Sequence, residues 1–267
     1  MGTAAMPKTA ALTERRTTAG PYMYCIIRCP EPRQFATRGI GERGDVVHTV
    51  HFDDLAAVVS DSPVAEYESN RRNMMAHTLV LEEVLQGWEM LPVRFGTVAP
   101  HAEAIREKVL KRRYGEFHGL LQEMASRIEL GLKAFWYEQT IFQEIVAENA
   151  GIRALRDALA GRPPEASYYQ RMQLGELVEQ AMWKKRAQDA ERILSALRPL
   201  AYRIQDGKVI TDRMVLSVAF LIDRARQQAF DEAVRKLDQE MGGRLTFRYV
   251  GPVPPYNFVS IAVSWQD

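Results

Sequence analysis

The chain has 267 residues, with 35 basic and 34 acidic side chains and a formal net charge of +1. This length favours two domains over one, because single hydrophobic cores stop growing at about 250–300 residues. A nearly neutral chain has no overall field to attract nucleic acid, anionic lipid or an acidic substrate, so any partner has to be held by local complementarity.

The first residues look like a tail rather than a targeting segment. Residues 1–20 are small and polar and contain no apolar run that could serve as a signal peptide, so we predict a disordered tail. No stretch approaches the roughly 20 apolar residues of a membrane span, and we expect a soluble, cytoplasmic protein. Cys25 and Cys29 lie too far apart along a strand for a disulfide, and we expect reduced, buried thiols.

The first half of the folded chain, residues 21–127, is predicted to form an α/β domain. Its strands are rich in β-branched and aromatic residues, and its helices place apolar residues at helical spacing. A polar, glycine-rich loop follows the first strand. The predicted elements are strands at 22–29, 46–52 and 55–60, a helix at 70–88, a strand at 90–98 and a helix at 102–127.

The second half, residues 128–250, repeats this mixture of strands and helices. The predicted elements are a strand at 129–138, helices at 141–159 and 166–197, strands at 202–205 and 214–222, a helix at 225–241 and a strand at 245–249. Pro252, Pro254 and Pro255 cannot donate ladder hydrogen bonds, so residues 251–267 are predicted to leave the sheet as an extended C-terminal strap.

Both halves contain much of the β-α-β-β-α-β order of ferredoxin-like domains, although the first lacks a helix between its first two strands. We therefore predict an α+β protein of two ferredoxin-like α/β sandwiches with antiparallel sheets. The second sandwich carries the long helix. The domain boundary is expected near Arg127.

One motif invites a cofactor interpretation. Residues 39–44, GIGERG, match the G-x-G-x-x-G pattern of dinucleotide sites. That fingerprint needs a helix to follow, because the helix N-terminus holds the pyrophosphate. A strand is predicted to follow here, so we interpret the segment as a flexible loop.

Other catalytic patterns are missing from the sequence. The five histidines, His48, His51, His77, His101 and His118, show no metal-ligand spacing, and neither a G-x-S-x-G motif nor a phosphate-binding loop occurs. His77 is expected to be a satisfied residue at the edge of the core. We predict no catalytic, cofactor-binding or metal-binding residues.

Arg94 is the one charged residue in the otherwise apolar run LPVRFGT. A buried guanidinium has to be paired, and we expect an internal salt bridge with an acid from a neighbouring element. The alternative is that Arg94 anchors a carboxylate or carbonyl groups of a partner protein.

Four segments carry a family resemblance: YMYCIIRC, VVHTVHFDDLAAVVSD, HTLVLEEVLQGWEMLPVRFGTV and GPVPPYNFVSIAV. In their order and spacing the chain resembles the gas vesicle protein GvpL/GvpF family over residues 22–263. Members of this family are minor, non-enzymatic proteins that act in the assembly of gas vesicles. The resemblance implies contact with the hydrophobic shell protein and with other accessory vesicle proteins, and a location in the cytoplasm and at the vesicle.

Two kinds of surface could hold such a shell subunit: an open sheet edge, or an amphipathic helix with a free apolar face. We expect the first half to be the docking domain, and the apolar positions of the long helix to be packed on its own sheet. The alternatives are an RNA-recognition-like protein, which the neutral charge disfavours, and an enzyme with a small-molecule site between the domains.

Overall fold

A computed structural model describes residues 20–265 as an α+β protein with two antiparallel sheets. The chain separates into two compact units. Within the described residues, the first comprises residues 20–88, 93–117 and 261–265, and the second comprises residues 89–92 and 118–260. The tail predicted for residues 1–20 lies outside the described residues, apart from Gly20, which begins the first strand.

The first sheet has the strand order β2-β3-β4-β1-β5. Its strands and the helices of this part of the chain are β1 Gly20–Arg28, β2 Gln34–Arg38, β3 Val46–Phe52, β4 Leu55–Ser62, α1 Arg71–Leu85, β5 Met90–Pro92, α2 Ala102–Ala104, which continues as a π-helical segment Ile105–Lys111, and α3 Tyr114–Met124.

Strand β1 is the centre of the first unit. Residues 22–27 on this strand are fully buried, so both of its faces are covered. The predicted hairpin forms from β3 and β4, and Asp53 in its turn takes a left-handed φ of 55°. Cys25 and Cys29 are buried and form no disulfide, as predicted.

Two predictions for the first half need correction. The glycine-rich loop contains the edge strand β2, which the sequence analysis missed. The strand predicted for residues 90–98 ends after Pro92. Val93 forms a parallel bridge with Ile261 instead. The chain then turns, because Gly96 takes a φ of 85°, and Val98 returns to form a bridge with Tyr22.

The second sheet has the strand order β7-β8-β6-β9. Its strands and the surrounding helices are β6 Arg127–Trp136, α4 Glu138–Glu148, α5 Ala150–Leu159, α6 Tyr168–Leu197, β7 Arg203–Asp206, β8 Met214–Asp223, α7 Gln227–Met241 and β9 Leu245–Val253. The helix predicted for residues 141–159 is two helices, because Asn149 between them has an extended backbone. The long helix α6 has 30 residues.

One apolar cluster joins a single face of the second sheet to helices α4, α5, α6 and α7. The alternate residues Leu130, Leu132, Ala134 and Trp136 of β6 belong to this cluster, as the alternation predicted. The apolar residues of α6 also belong to this cluster, so the prediction that they pack on the helix's own sheet is confirmed.

A partly buried polar network ties the helices to the second sheet. The Trp136 indole N–H donates to Asp189 over 2.8 Å, and Arg244 donates to both Asp189 (3.0 Å) and Glu144 (2.6 Å). The hydrogen bonds to Glu144 and Asp189, with their charges, raise the pKa of Arg244. The network fixes α4 and α6 against the ends of β6 and β9.

The proline-rich segment does not leave the second sheet where predicted. Strand β9 continues to Val253, which pairs with Glu129. Beyond it the chain makes a turn in which the N–H groups of Phe258 and Val259 donate to the Pro255 carbonyl. The predicted extended form is therefore wrong for these residues, while Phe258 does fold back, under the Arg203 guanidinium.

Candidate functional site

The loop at residues 39–44 is an anchored structural loop. Ile40 is fully buried, and its N–H donates to the Tyr24 hydroxyl over 2.8 Å. A Cβ atom on Gly39 would lie 2.4 Å from the Ser60 hydroxyl oxygen, so the backbone needs glycine there. Strand β3 follows the loop, as predicted, and no helix N-terminus is available to a phosphate. The expectation of a freely flexible loop is corrected by the burial of Ile40.

His77 is a core residue of the first unit. It is 2% exposed, its ring stacks on Tyr24, and its Nδ1 atom lies 2.9 Å from the Tyr22 hydroxyl oxygen. Burial lowers the pKa of His77 to about 4, so the ring is neutral at pH 7. The prediction of a satisfied structural histidine is confirmed, with deeper burial than expected. Within the described range 20–265, no three His, Cys, Asp or Glu side chains gather as a metal site would require.

Arg94 is exposed, and the internal salt bridge predicted for it is wrong. Its backbone explains the error. The Arg94 N–H donates to the Ile261 carbonyl and its own carbonyl accepts from the Thr97 hydroxyl, so the main chain is held while the side chain points to solvent. The buried residues of this run are its neighbours Leu91 and Val93.

Helix α1 presents unused apolar side chains on its outer side. The exposed fractions are 42% for Met74, 54% for Met75 and 47% for Leu79, while the opposite side buries His77, Leu81 and other residues. Methionine side chains are flexible and polarisable, and they are common on surfaces that bind varied apolar partners. We call Met74, Met75 and Leu79 the α1 face.

The edge strand β2 is partly closed to further pairing. Ala36 and Thr37 form a bulge against β3, and their N–H groups both donate to the Glu83 carboxylate of α1 over 2.8 Å. Burial acts to raise the pKa of Glu83, but these hydrogen bonds outweigh it and the pKa is lowered. A carboxylate therefore holds the backbone donors that an added strand would need.

A second apolar surface lies on the second unit. Trp183 on α6 is 62% exposed and Ile210, in the loop before β8, is 73% exposed. Two adjoining grooves share Trp183 as a wall, and one of them, of about 330 Å³, also contacts Phe142. We call these residues the Trp183 patch. Exposed aromatic side chains of this kind are common at the centres of protein interfaces.

A groove lies on the face of the second sheet opposite the helices. It encloses about 450 Å³ and is lined by Gly131, Lys133, Ser217, Arg248 and Val250, among others. One end is closed by Glu129, which is 2% exposed and accepts hydrogen bonds from the Asn257 backbone (3.0 Å) and side-chain amide (2.6 Å). Burial raises the pKa of Glu129, and the bonds from Asn257 offset part of that rise.

Together these features define the class of the molecule: a two-sheet α+β protein whose surfaces offer exposed apolar side chains and an open sheet face. A family model described as "Gas vesicle synthesis protein GvpL/GvpF" matches residues 20–260. The chain therefore belongs to the GvpL/GvpF family of gas vesicle proteins, as its resemblance predicted.

Individual relatives agree over nearly the whole chain. Gas vesicle protein F of a Streptomyces species is 33% identical over 241 residues, which covers 89% of this chain and 98% of that protein. The crystal structure of GvpF from an Anabaena species, at 26% identity, covers 92% of this chain and 100% of that chain with a TM-score of 0.79. The crystal structure of GvpF from Microcystis aeruginosa, also at 26% identity, gives a TM-score of 0.73 and covers 90% and 99%.

Proposed function

We propose that this protein is a non-enzymatic, minor structural and assembly protein of gas vesicles that binds the hydrophobic shell subunit and other accessory vesicle proteins. Its place of action is the cytoplasm and the vesicle. The observation that carries the proposal is the α1 face, an unpartnered apolar surface on a member of a gas vesicle family. No membrane or nucleic acid is needed for this role.

The physical need follows from the chemistry of a gas-filled shell. A subunit apolar enough to exclude water exposes apolar strands before it is incorporated, and such strands pair indiscriminately. A binder that covers part of this surface lowers the concentration of aggregating subunit. Burying an aliphatic side chain stabilises a complex by about 1.5–3 kcal/mol if the burial is complete.

Within the first unit we prefer the α1 face to the sheet edge as the docking surface. The edge strand β2 has two backbone donors occupied by Glu83, whereas Met74, Met75 and Leu79 are free to pack against an apolar partner. Docking in the first half of the chain stays a proposal, and the Trp183 patch is its alternative. An apolar interface of either kind should persist at moderate salt.

The proposal is tested by co-expressing the full chain with the gas vesicle shell subunit and measuring the fraction of subunit left in the supernatant after centrifugation. The wild-type chain should raise this fraction. The triple variant Met74→Gln, Met75→Gln, Leu79→Gln should lose most of the effect, since its affinity should fall at least roughly tenfold. The matched variant Trp183→Gln, Ile210→Gln should keep it.

Two outcomes would count against the proposal in different ways. If the wild-type chain leaves the subunit as insoluble as before, the assembly mechanism is wrong. If the Trp183 variant fails and the α1 variant succeeds, the mechanism stands but docking occurs on the second unit. Circular dichroism of each purified variant checks that its fold is intact.

We also propose that both units are ferredoxin-like. In the second, the element order is strand, helices, two strands, helix, strand, and the last strand lies beside the first. In the first, strand β2 stands where a ferredoxin-like domain has its first helix. These element and strand orders support a ferredoxin-like assignment for each unit.

A further inference from the structure

The open face of the second sheet carries a like-charged pair. Lys133 on β6 is directly opposite Arg248 on β9. Like charges in directly opposed positions on one sheet face repel each other and destabilise the pairing. Neither side chain forms an ion pair with any residue in the range 20–265, and the Arg248 guanidinium lies over the Phe135 ring, 5.1 Å from its centroid.

A third hydrogen-bonding group extends this pair across the sheet. Ser217 on β8 is opposite Lys133 on its other side, so Ser217, Lys133 and Arg248 form one row across three neighbouring strands. Hydroxyl, ammonium and guanidinium groups can all donate to an anion. We call this the donor row.

The neighbouring row of residues on the same sheet face is apolar and has short side chains. Gly131 lies opposite both Ala219 and Val250, so small side chains make the floor of the groove. A Cβ atom on Gly131 would lie 3.0 Å from a methyl carbon of Val250, which shows how closely the floor is packed. Beyond it, Glu129 and Asn257 close the groove. The site therefore combines a cationic rim with an apolar floor.

The shape of the groove favours a segment of a macromolecule over a small ligand. Small-molecule sites bury most of their ligand, typically about 70–90% of its surface. Here Lys133 and Arg248 are exposed and Val250 is 57% exposed, so the groove is open along the sheet. A chain that lies across the strands could place one side chain on the floor and another on the donor row.

The chemistry favours a protein segment over a nucleic acid. Single-stranded nucleic acids are held by stacking successive bases on several aromatic rings, but Arg248 covers Phe135, and Tyr256 is the one aromatic side chain among the residues that line this groove. A nucleic acid is a polyanion that favours an overall positive field, and the formal net charge of the chain is only +1. The donor row offers two positive charges, which suit one or two carboxylates.

We propose that this groove docks an acidic segment of a partner protein, with a carboxylate on the donor row and an apolar side chain on the floor of Gly131, Ala219 and Val250. The like-charged pair is then retained for binding, since it weakens the isolated sheet. This docking differs from the proposed binding of the shell subunit in chemistry and in place, and it does not depend on it.

A fluorescence anisotropy titration of the full chain tests the proposal. The probe is a short fluorescein-labelled peptide of alternating leucine and glutamate, and the matched probe has glutamine in place of glutamate. The glutamate peptide should bind at least roughly tenfold more tightly than the glutamine peptide, and the difference should shrink as NaCl rises from about 50 to about 500 mM. A single-stranded oligonucleotide serves as the nucleic-acid probe.

Two double variants locate the binding. Lys133→Ala, Arg248→Ala should lose most of the affinity for the glutamate peptide. Arg235→Ala, Lys236→Ala removes the same charge from exposed positions on α7 and should leave it within about twofold. The single variant Lys133→Ala should unfold at the same temperature as the wild type or higher, because it relieves the repulsion.

The proposal is overturned if the glutamate peptide does not bind, or if it binds the two double variants equally. It is also overturned if the oligonucleotide alone binds in a way that depends on Lys133 and Arg248, because the partner would then be a nucleic acid. A lower unfolding temperature for Lys133→Ala would mean that Lys133 stabilises the fold, which also contradicts the proposal.

Discussion

At the scale of single residues, burial disfavours the charged form of two titratable groups. The pKa of His77 is lowered and that of Glu129 is raised, and both shifts follow from removing the charged form from water. Their effects on stability have opposite signs. Because the pKa of His77 is lowered on folding, the contribution of His77 to stability increases as pH rises. Because the pKa of Glu129 is raised on folding, the contribution of Glu129 to stability decreases as pH rises.

Replacement of His77 should flatten part of the pH dependence of stability. The unfolded chain takes up a proton near pH 6.5 and the folded chain only near pH 4, so stability is lost as pH falls through this window. The difference between these two pKa values corresponds to about 3 kcal/mol of unfolding free energy. Urea unfolding of the wild type, His77→Gln and the control His48→Gln between these pH values measures it.

The comparison of variants isolates His77 from Glu129, which remains in all three proteins. We expect His77→Gln to have a shallower slope of unfolding free energy against pH than both the wild type and His48→Gln. Equal slopes in all three proteins would mean that His77 titrates in the folded state as it does in the unfolded chain.

At the scale of elements, strand β2 depends on a contact from outside its own sheet. The bulge at Ala36 and Thr37 interrupts the ladder with β3, and Glu83 supplies the acceptors that the bulged N–H groups would otherwise lack. The outer edge of β2 therefore has two of its backbone donors already occupied, which protects the sheet from pairing with another chain. Helix α1 thus both covers the sheet and closes its edge.

Glu83→Ala should open this edge. Hydrogen bonds to a charged acceptor contribute about 1.5–3 kcal/mol, so the variant should be destabilised by an amount of that order. Hydrogen exchange at Ala36 and Thr37 should become faster, and light scattering should show more self-association. The adjacent exposed Glu82→Ala is the control and should change none of these. Unchanged exchange at both amides would show that Glu83 does not hold them.

At the scale of the whole molecule, the C-terminal segment serves both units by separate contacts. Asn257 satisfies Glu129 in the second unit. Ile261 forms a parallel bridge with Val93 and accepts the Arg94 N–H in the first. The segment is therefore part of both folds. Limited proteolysis would test the predicted boundary near Arg127.

Deletion of the chain from Gly251 onward should lower the melting temperature. The deletion removes both donors to Glu129 and leaves its buried carboxyl group unsatisfied, which costs about 1–3 kcal/mol. It also removes the end of strand β9, and that loss adds to this cost. Asn257→Ala removes only the side-chain donor to Glu129 and should lower the melting temperature by roughly 2–4 °C for each kcal/mol of lost stability. Asn73→Ala, which removes an exposed hydrogen bond, is the control. A truncated protein that melts like the wild type would show that the segment contributes nothing.

The sequence by itself determined the secondary structure of most of the chain, because apolar periodicity reports which face of a strand or helix is buried. The alternation along β6, the apolar run of β8 and the helical spacing in α1 and α6 all predicted the observed elements. Its motifs also identified the family. Where local rules competed with distant contacts, as in the bulged β2 and the turn after Pro92, the prediction failed.

Only the tertiary structure decided which side chains meet. Glu129 and Asn257 are separated by 128 residues along the chain, and Glu83 reaches amides 46 and 47 residues away. Lys133 and Arg248 look like ordinary surface charges until strand register sets them opposite each other. Arg94 seemed buried because its neighbours are apolar, yet the turn points it outward. Periodicity fixes the face that a residue occupies, whereas strand order and register fix its partner, and these depend on contacts that a single sequence does not encode locally.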